Sequence, residues 1–124
     1  MPKVVAIHQP NFLPWLGYFH KMSQADAFVL LDDVQFSKGS YGNRVQIKSR
    51  LKGPDWLTVP VRSSEGSKQQ YNEIEIAYNE PWRVDHANLL HDAYQQVEEA
   101  PYFDRYFQDL MALQEKRYLN LAAL

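Results

Sequence analysis

Cysteine is absent from the 124-residue sequence, which removes disulfides, thiolate metal ligands and cysteine nucleophiles from consideration. Long apolar runs are absent as well. The first, Val4–Ile7, ends at His8; it is too short for a signal-peptide core, and nothing later approaches the length of a membrane span. Neither sign of charge dominates: 13 basic residues stand against 15 acidic ones, a formal net charge of −2. That balance provides no general attraction for nucleic acid or an anionic membrane. The expectation is a soluble, cytoplasmic chain without nucleic acid or a membrane span. The G-x-S-x-G elbow, the P-loop and the Rossmann glycine fingerprint are also missing, so neither a hydrolase triad nor a dinucleotide fold has support. Four histidines occur, but no two stand four apart on an expected helix, and His86 and His91 are five apart, so no metal site is expected. No cofactor is indicated.

What the chain does contain is 45% hydrophobic and 14% aromatic residues, enough to build a core in one domain of modest size, taken here as residues 1–124. Lys3–His8 reads as a strand buried on both faces, and Gln9-Pro10-Asn11 ends it. Pro14 suits the first turn of a helix carrying Leu16, Phe19, His20 and Met22, and Ala27–Leu31 is a second apolar strand. Strand, helix and strand within about thirty residues have the size of a βαβ unit.

Beyond Asp32-Asp33 the alternation of Val45, Ile47, Ser49 and Leu51 with charged and amide residues predicts a half-exposed strand. Leu57, Val59 and Val61 alternate too, with Pro60 marking an edge or bulge. Arg62–Gln70 reads as a mobile loop, and Asn72–Tyr78 as a short strand. Pro81 opens a helix with Trp82, Leu89, Leu90, Ala93 and Val97 as its apolar stripe; Pro101 opens another, with Phe103, Phe107, Leu110, Met111 and Leu121 inward. The fold class expected is α/β: a short parallel sheet with a βαβ start, an irregular β insertion and two C-terminal helices. The helical pattern at Leu124 stops without a cap, which is expected of a truncated chain or of a helix packing on a partner, another copy included.

Two stretches carry candidate chemistry. The first is AIHQPNFLPWLGYFHKM, Ala6–Met22, at the carboxyl end of the first strand, where ligands bind in open α/β sheets. Gly17 inside an expected helix costs about 1 kcal/mol relative to alanine and marks a close approach. Trp15, Tyr18 and Phe19 are able to stack on a base or sugar ring, or else to pack as core. The strand–loop–Pro–x–x–Gly–helix layout is similar to that of HxGH-type nucleotidyltransferases, but Tyr18 stands where the second histidine belongs and His20 is displaced, so the signature is not met. The second stretch is LDDVQFSKGSYGNR, Leu31–Arg44. Asp32 and Asp33 follow a buried strand and point to opposite faces, one of them placed to act as a base. Lys38 and Arg44 supply positive charge, and Gln35 and Asn43 neutral hydrogen-bonding groups; a turn with solvated charges is the plain alternative.

Together, IHQPNFLPWLGYFHKM, ADAFVLLDDVQFSKGSYGNRVQIK and WLTVPV resemble the WbqC-like proteins of bacterial O-antigen and other polysaccharide gene clusters, near-continuously from about Val5 to Val61. Family members are typically about twice this length, so the chain resembles their N-terminal half. The family's pattern falls on His8, Gln9, Pro10, Pro14, Trp15, Gly17, Tyr18, Lys21, Asp32, Gln35, Lys38, Asn43 and Arg44. The resemblance implies a transferase moving an amino-acyl or acyl group from an activated donor to an aminosugar or sugar nucleotide. In that reading Asp32 or His8 is the base, Lys38 and Arg44 hold phosphate or oxyanion, and Trp15 and Tyr18 form a stacking wall, with Gln9, Lys21, Gln35 and Asn43 completing the binding set. The alternatives are a non-catalytic sugar-nucleotide-binding or assembly module and, further off, an ATP-dependent amino-acid adenylating enzyme.

Overall fold

The computed structural model describes residues 2–49, 53–63, 68–95, 101–118 and 120–124. The apolar run near the N-terminus forms β1 (Val5–His8), which leads through a proline-rich loop into α1 (Leu16–Ser23) and back into β2 (Ala27–Leu30). β1 and β2 pair in parallel, Val5 against Ala27 through His8 against Leu30. This is the expected βαβ unit. The helix starts two residues later than Pro14, with Trp15 as its extended N-cap.

The cover of this sheet departs from expectation. α1 lies over one face, where Ala6 and Tyr18 are buried, but Val5 and Ile7 of β1 and Val29 of β2 are exposed. The four-residue apolar run therefore reports strand propensity, not burial on both sides. The second cover that a parallel pair ordinarily has is missing among the described residues.

The core lies downstream of that unit. β3 (Arg44–Ser49) and β4 (Gly53–Thr58) form an antiparallel hairpin, Val45 opposite Leu57 and Ile47 opposite Asp55. Ile47 and Leu57 point inward, as the two-residue period requires. The segment after β4 is split at Pro60: Val59 is fully buried and donates its N–H to the Asn43 carbonyl, and the chain then re-forms as the two-residue strand β5 (Val61–Arg62). β5 pairs antiparallel with β6 (Glu75–Ile76), all that the expected Asn72–Tyr78 strand retains. The stretch before β6 is a turn, Glu73 and Ile74 donating to the Gln70 carbonyl, so its alternation does not mark a ladder. Of the Arg62–Gln70 loop, residues 64–67 lie outside the described residues; Gln70 bridges to Gln35.

α2 (Trp82–Tyr94) packs across the hairpin through Trp82, His86, Leu90 and Ala93. Val97 of the expected stripe lies outside the described residues. α3 (Phe103–Glu115) leans on α2 through rings, Phe103 stacked on Tyr94 at 5.5 Å and Phe107 near His91 at 6.0 Å. Leu121 is not part of α3. It begins a single 3₁₀ turn (Leu121–Ala123), whose N–H groups reach back to Ile74 and Tyr71 carbonyls, and its side chain enters the core beside Tyr71 and Ile74. Among the described residues the fold thus mixes a small parallel sheet, antiparallel strands and three α-helices, two of them C-terminal. Among the described residues no helix is long and apolar enough to cross a membrane.

Candidate functional site

The loop from Gln9 to Trp15 joins the end of β1 to α1 and is held in an unusual shape. Leu13 sits in the left-handed region at φ 42°, which costs an L-residue about 1–2 kcal/mol. The loop is pinned by the Phe12 N–H, which donates to the Tyr41 carbonyl at 3.1 Å, while Phe12 and Leu13 pack on the core. Two cavities flank it and share Asn11, Phe12 and Pro14 as their common wall.

The larger cavity, about 430 Å³, lies between this loop and the start of β3. Phe12, Trp15 and Tyr41 are its aromatic walls, the amides of Asn11 and Gln46 line it, and no charged residue does among the described residues. Trp15 is 74% exposed, far more than a tryptophan that only packs. Its indole folds back over Gly17, and a side chain built on Gly17 would collide with the ring. At Gly17 the sequence predicts the approach of another element or a ligand; what lies against it is the side chain of Trp15, two residues earlier in the chain. Volume, aromatic walls and a few amides are the composition of a small-molecule cleft.

The smaller cavity, about 240 Å³, opens at the carboxyl ends of β1 and β2, lined by Pro10, Tyr18, Leu30 and Leu121 among others. The backbone segments that carry the two candidate bases are joined at these strand ends: the Leu31 N–H donates to the His8 carbonyl at 2.8 Å, and Asp32 follows. His8 Nδ1 is 2.8 Å from the Gln9 carbonyl, an acceptor, so in the neutral ring the proton sits on Nδ1 and the Nε2 lone pair is left for chemistry. The ring stands edge-on to Tyr18 at 4.7 Å. Tyr18 is buried, its hydroxyl donates to the Gln9 carbonyl at 3.3 Å, and burial pushes its phenol above the ordinary 10.0. Tyr18 is therefore a neutral packing residue behind His8, in contact with Phe28 and Phe19, and it is Trp15 that presents a ring outward. The Gln9 side chain accepts from the buried Tyr71 hydroxyl at 3.3 Å.

Other candidates are engaged with the backbone. Lys21 Nζ donates to the Ile7 carbonyl at 3.0 Å. Asn43 is buried and its amide donates to the Val59 carbonyl at 3.0 Å, which ties the loop before β3 to the end of β4. Arg44 lays its guanidinium over Trp56, 4.0 Å from the ring centroid, and donates from Nη2 to the Gly39 carbonyl at 2.6 Å. Gln35 forms a bridge to Gln70, and Lys38 is exposed. The structure thus brings His8, Gln9, Tyr18 and Asp32 to the strand ends and Trp15 to the adjoining cleft. It turns Arg44 and Asn43 toward the β3–β4 hairpin.

Sequence reasoning missed Asn11, Tyr41 and Gln46, the partners of Trp15 across the larger cavity. Tyr41 lies inside the Leu31–Arg44 stretch, but nothing local shows that it lines one cavity with a residue 26 positions earlier; its own ring neighbour is Trp56, at 6.0 Å. Among the described residues no group of three or more histidines and carboxylates is placed to hold a metal ion.

An uncharacterized protein of Mycobacterium tuberculosis, Rv1507c, is 40% identical over 74 residues, which cover 60% of this chain and 32% of the relative. The aligned stretch therefore spans about a third of that relative's length. No solved structure matches the chain. The model of the WbqC-like protein family matches residues 9–124, which include the Gln9–Trp15 loop and both cavities' β3 and C-terminal walls, and the chain belongs to that family.

Proposed function

We propose that the chain binds the sugar ring of an aminosugar or sugar nucleotide in the Trp15–Tyr41 cleft and takes part in acyl or amino-acyl transfer to that sugar in bacterial surface-polysaccharide synthesis. The carrying observation is a cleft of about 430 Å³ whose described lining includes an exposed indole, the Tyr41 phenol and two primary amides and no charged side chain. Pyranose rings present apolar C–H faces to aromatic planes and hydroxyls to amides, so a neutral aromatic–amide cleft suits them.

In the reaction the sugar amine attacks the acyl carbonyl of an activated ester or thioester. The C–N bond forms, the tetrahedral intermediate expels the donor's alcohol or thiol, and the amine proton passes to a base. His8 Nε2, at the end of β1, and the Asp32 carboxylate, two residues beyond the end of β2, are the candidates for that base. The test supplies the chain with an activated glycyl donor and aminosugar acceptors and follows amide formation by mass spectrometry. Asp32→Ala or His8→Ala is expected to abolish product while far-UV circular dichroism is unchanged. Full activity in both variants overturns the assignment of the base.

A second reading, a binding module without chemistry, is favoured by one observation. Arg44 and Lys21 donate to the chain's own carbonyls, which reduces the positive charge ready for an oxyanion. Sugar binding without transfer under any donor supports that reading. Amino-acid-dependent ATP–pyrophosphate exchange would point instead to an adenylating enzyme.

A further inference from the structure

A third cleft, sharing no lining residue with the two at the Gln9–Trp15 loop, lies between the β5–β6 pair and the chain that leaves α3. It holds about 330 Å³ and is lined by Arg62, Glu75, Ile76, Tyr78, Arg117 and Tyr118. Two guanidiniums converge on one phenol ring: Arg117 is 4.9 Å and Arg83 5.1 Å from the Tyr78 centroid. Arg62 also lines the cleft, its Nη2 donating to Asn79 Oδ1 at 3.5 Å. The carboxylate lining it is Glu75, 3.9 Å from Arg62, and both of those side chains are more than half exposed, where an ion pair contributes little.

The cluster has a built frame. Tyr78 accepts the Tyr118 N–H on its hydroxyl at 2.7 Å, the Tyr118 hydroxyl donates to the Leu113 carbonyl at 2.8 Å, and Arg83 donates to the Glu115 carbonyl at 2.8 Å. These bonds fix both phenol rings and Arg83, and they leave Arg117 with its ring contact. Two arginines, Arg62 and Arg117, line this small cleft with Arg83 at the Tyr78 ring, and Glu75 is the carboxylate among its described lining residues, so the cleft offers more guanidinium than carboxylate to an anion.

We propose that this cleft binds phosphate, with Arg62 and Arg117 supplying the charged forks and Arg83 behind Tyr78 adding to the field. Guanidinium forks match phosphate oxygens in bidentate geometry, and the Tyr78 and Tyr118 rings give an organic phosphate a surface to rest on. The phosphate belongs either to an inorganic ion or to a nucleotide, and the two are separable by experiment.

Isothermal titration calorimetry on the full chain, with inorganic pyrophosphate in one arm and uridine diphosphate in the other, reads both. Saturable binding is expected, weaker as salt rises, and reduced about tenfold or more by Arg117→Ala and by Arg62→Ala. Lys68→Ala, which removes an exposed charge elsewhere, is expected to change it by less than about twofold. Tighter binding of uridine diphosphate than of pyrophosphate identifies a nucleotide ligand; equal binding identifies phosphate alone, and either supports the site. Absence of saturation in both arms at low salt, or equal loss in Lys68→Ala and Arg117→Ala, overturns it. Because Trp15 and Tyr41 lie outside this cleft, that failure leaves the sugar-binding proposal untouched.

Discussion

Gly17 and Gly42 differ in what a methyl group would meet, and that difference separates function from stability. At Gly17 an added Cβ runs into the indole of Trp15, the far end of an exposed side chain that is able to swing away. Alanine there also improves helix propensity by about 1 kcal/mol. Gly17→Ala is therefore expected to hold or raise the melting temperature in differential scanning calorimetry while weakening sugar binding, because the indole leaves its seat. At Gly42 the Cβ would stand 2.6 Å from the ring of Tyr71, which is buried in the core and has no such freedom. Gly42→Ala is expected to lose about 1–3 kcal/mol in urea unfolding through overpacking. His86 supplies a pH signature. It is 2% exposed, its Nε2–H donates to the Thr58 carbonyl at 2.8 Å, and burial pushes its pKa below 6.5, opposed by the Thr58 bond, the neighbouring Gln114 and Asp85. The unfolded chain then binds the proton more readily than the folded one. Stability is full above pH 6.5 and falls as the pH drops from there toward the lowered folded value. Unfolding free energies measured between about pH 8 and 5 should show that decline, and His86→Phe should flatten it.

Among the elements, β1 and β2 were legible from their apolar runs, and β3 from its two-residue alternation, because strand periodicity is local. Helices α2 and α3 were legible from the prolines that precede them. What covers each element was not. The same run of Val4–Ile7 would describe a strand buried on both faces, yet Ile7 is 54% exposed and Val29 42%. The Asn72–Tyr78 alternation shrank to two strand residues because the chain there makes a turn onto Gln70. The charge of Arg44 marks it as a phosphate or oxyanion ligand in the sequence, but its partner is Trp56, two residues away across the hairpin from the position it pairs with, a relation set by register alone. The exposure of the parallel pair predicts a contrast. Val29→Thr is expected to change the unfolding free energy by no more than about 0.5 kcal/mol, whereas Leu57→Ala, in the hairpin core, is expected to lose about 2–5 kcal/mol. Equal losses would mean that the β1–β2 face is covered in solution.

For the whole molecule, the division of labour is between a core built by the β3–β4 hairpin with α2, α3 and the final turn, and a βαβ unit whose loop leans on that core through Phe12 and Leu13. The cleft forms where the two meet, which is why its walls come from distant stretches and why Trp15 alone was visible beforehand. Trp15 is also the tryptophan best placed to report on it, since Trp82 is buried and Trp56 is half-buried beneath Arg44. Titrating the chain with a nucleotide-linked aminosugar while following tryptophan emission tests the sugar-binding claim most directly. A saturable blue shift that disappears in Trp15→Phe, and that weakens about tenfold in Tyr41→Ala, is the result expected of stacking in the cleft. Saturable binding by calorimetry that leaves the emission of Trp15 unchanged and survives both substitutions contradicts it.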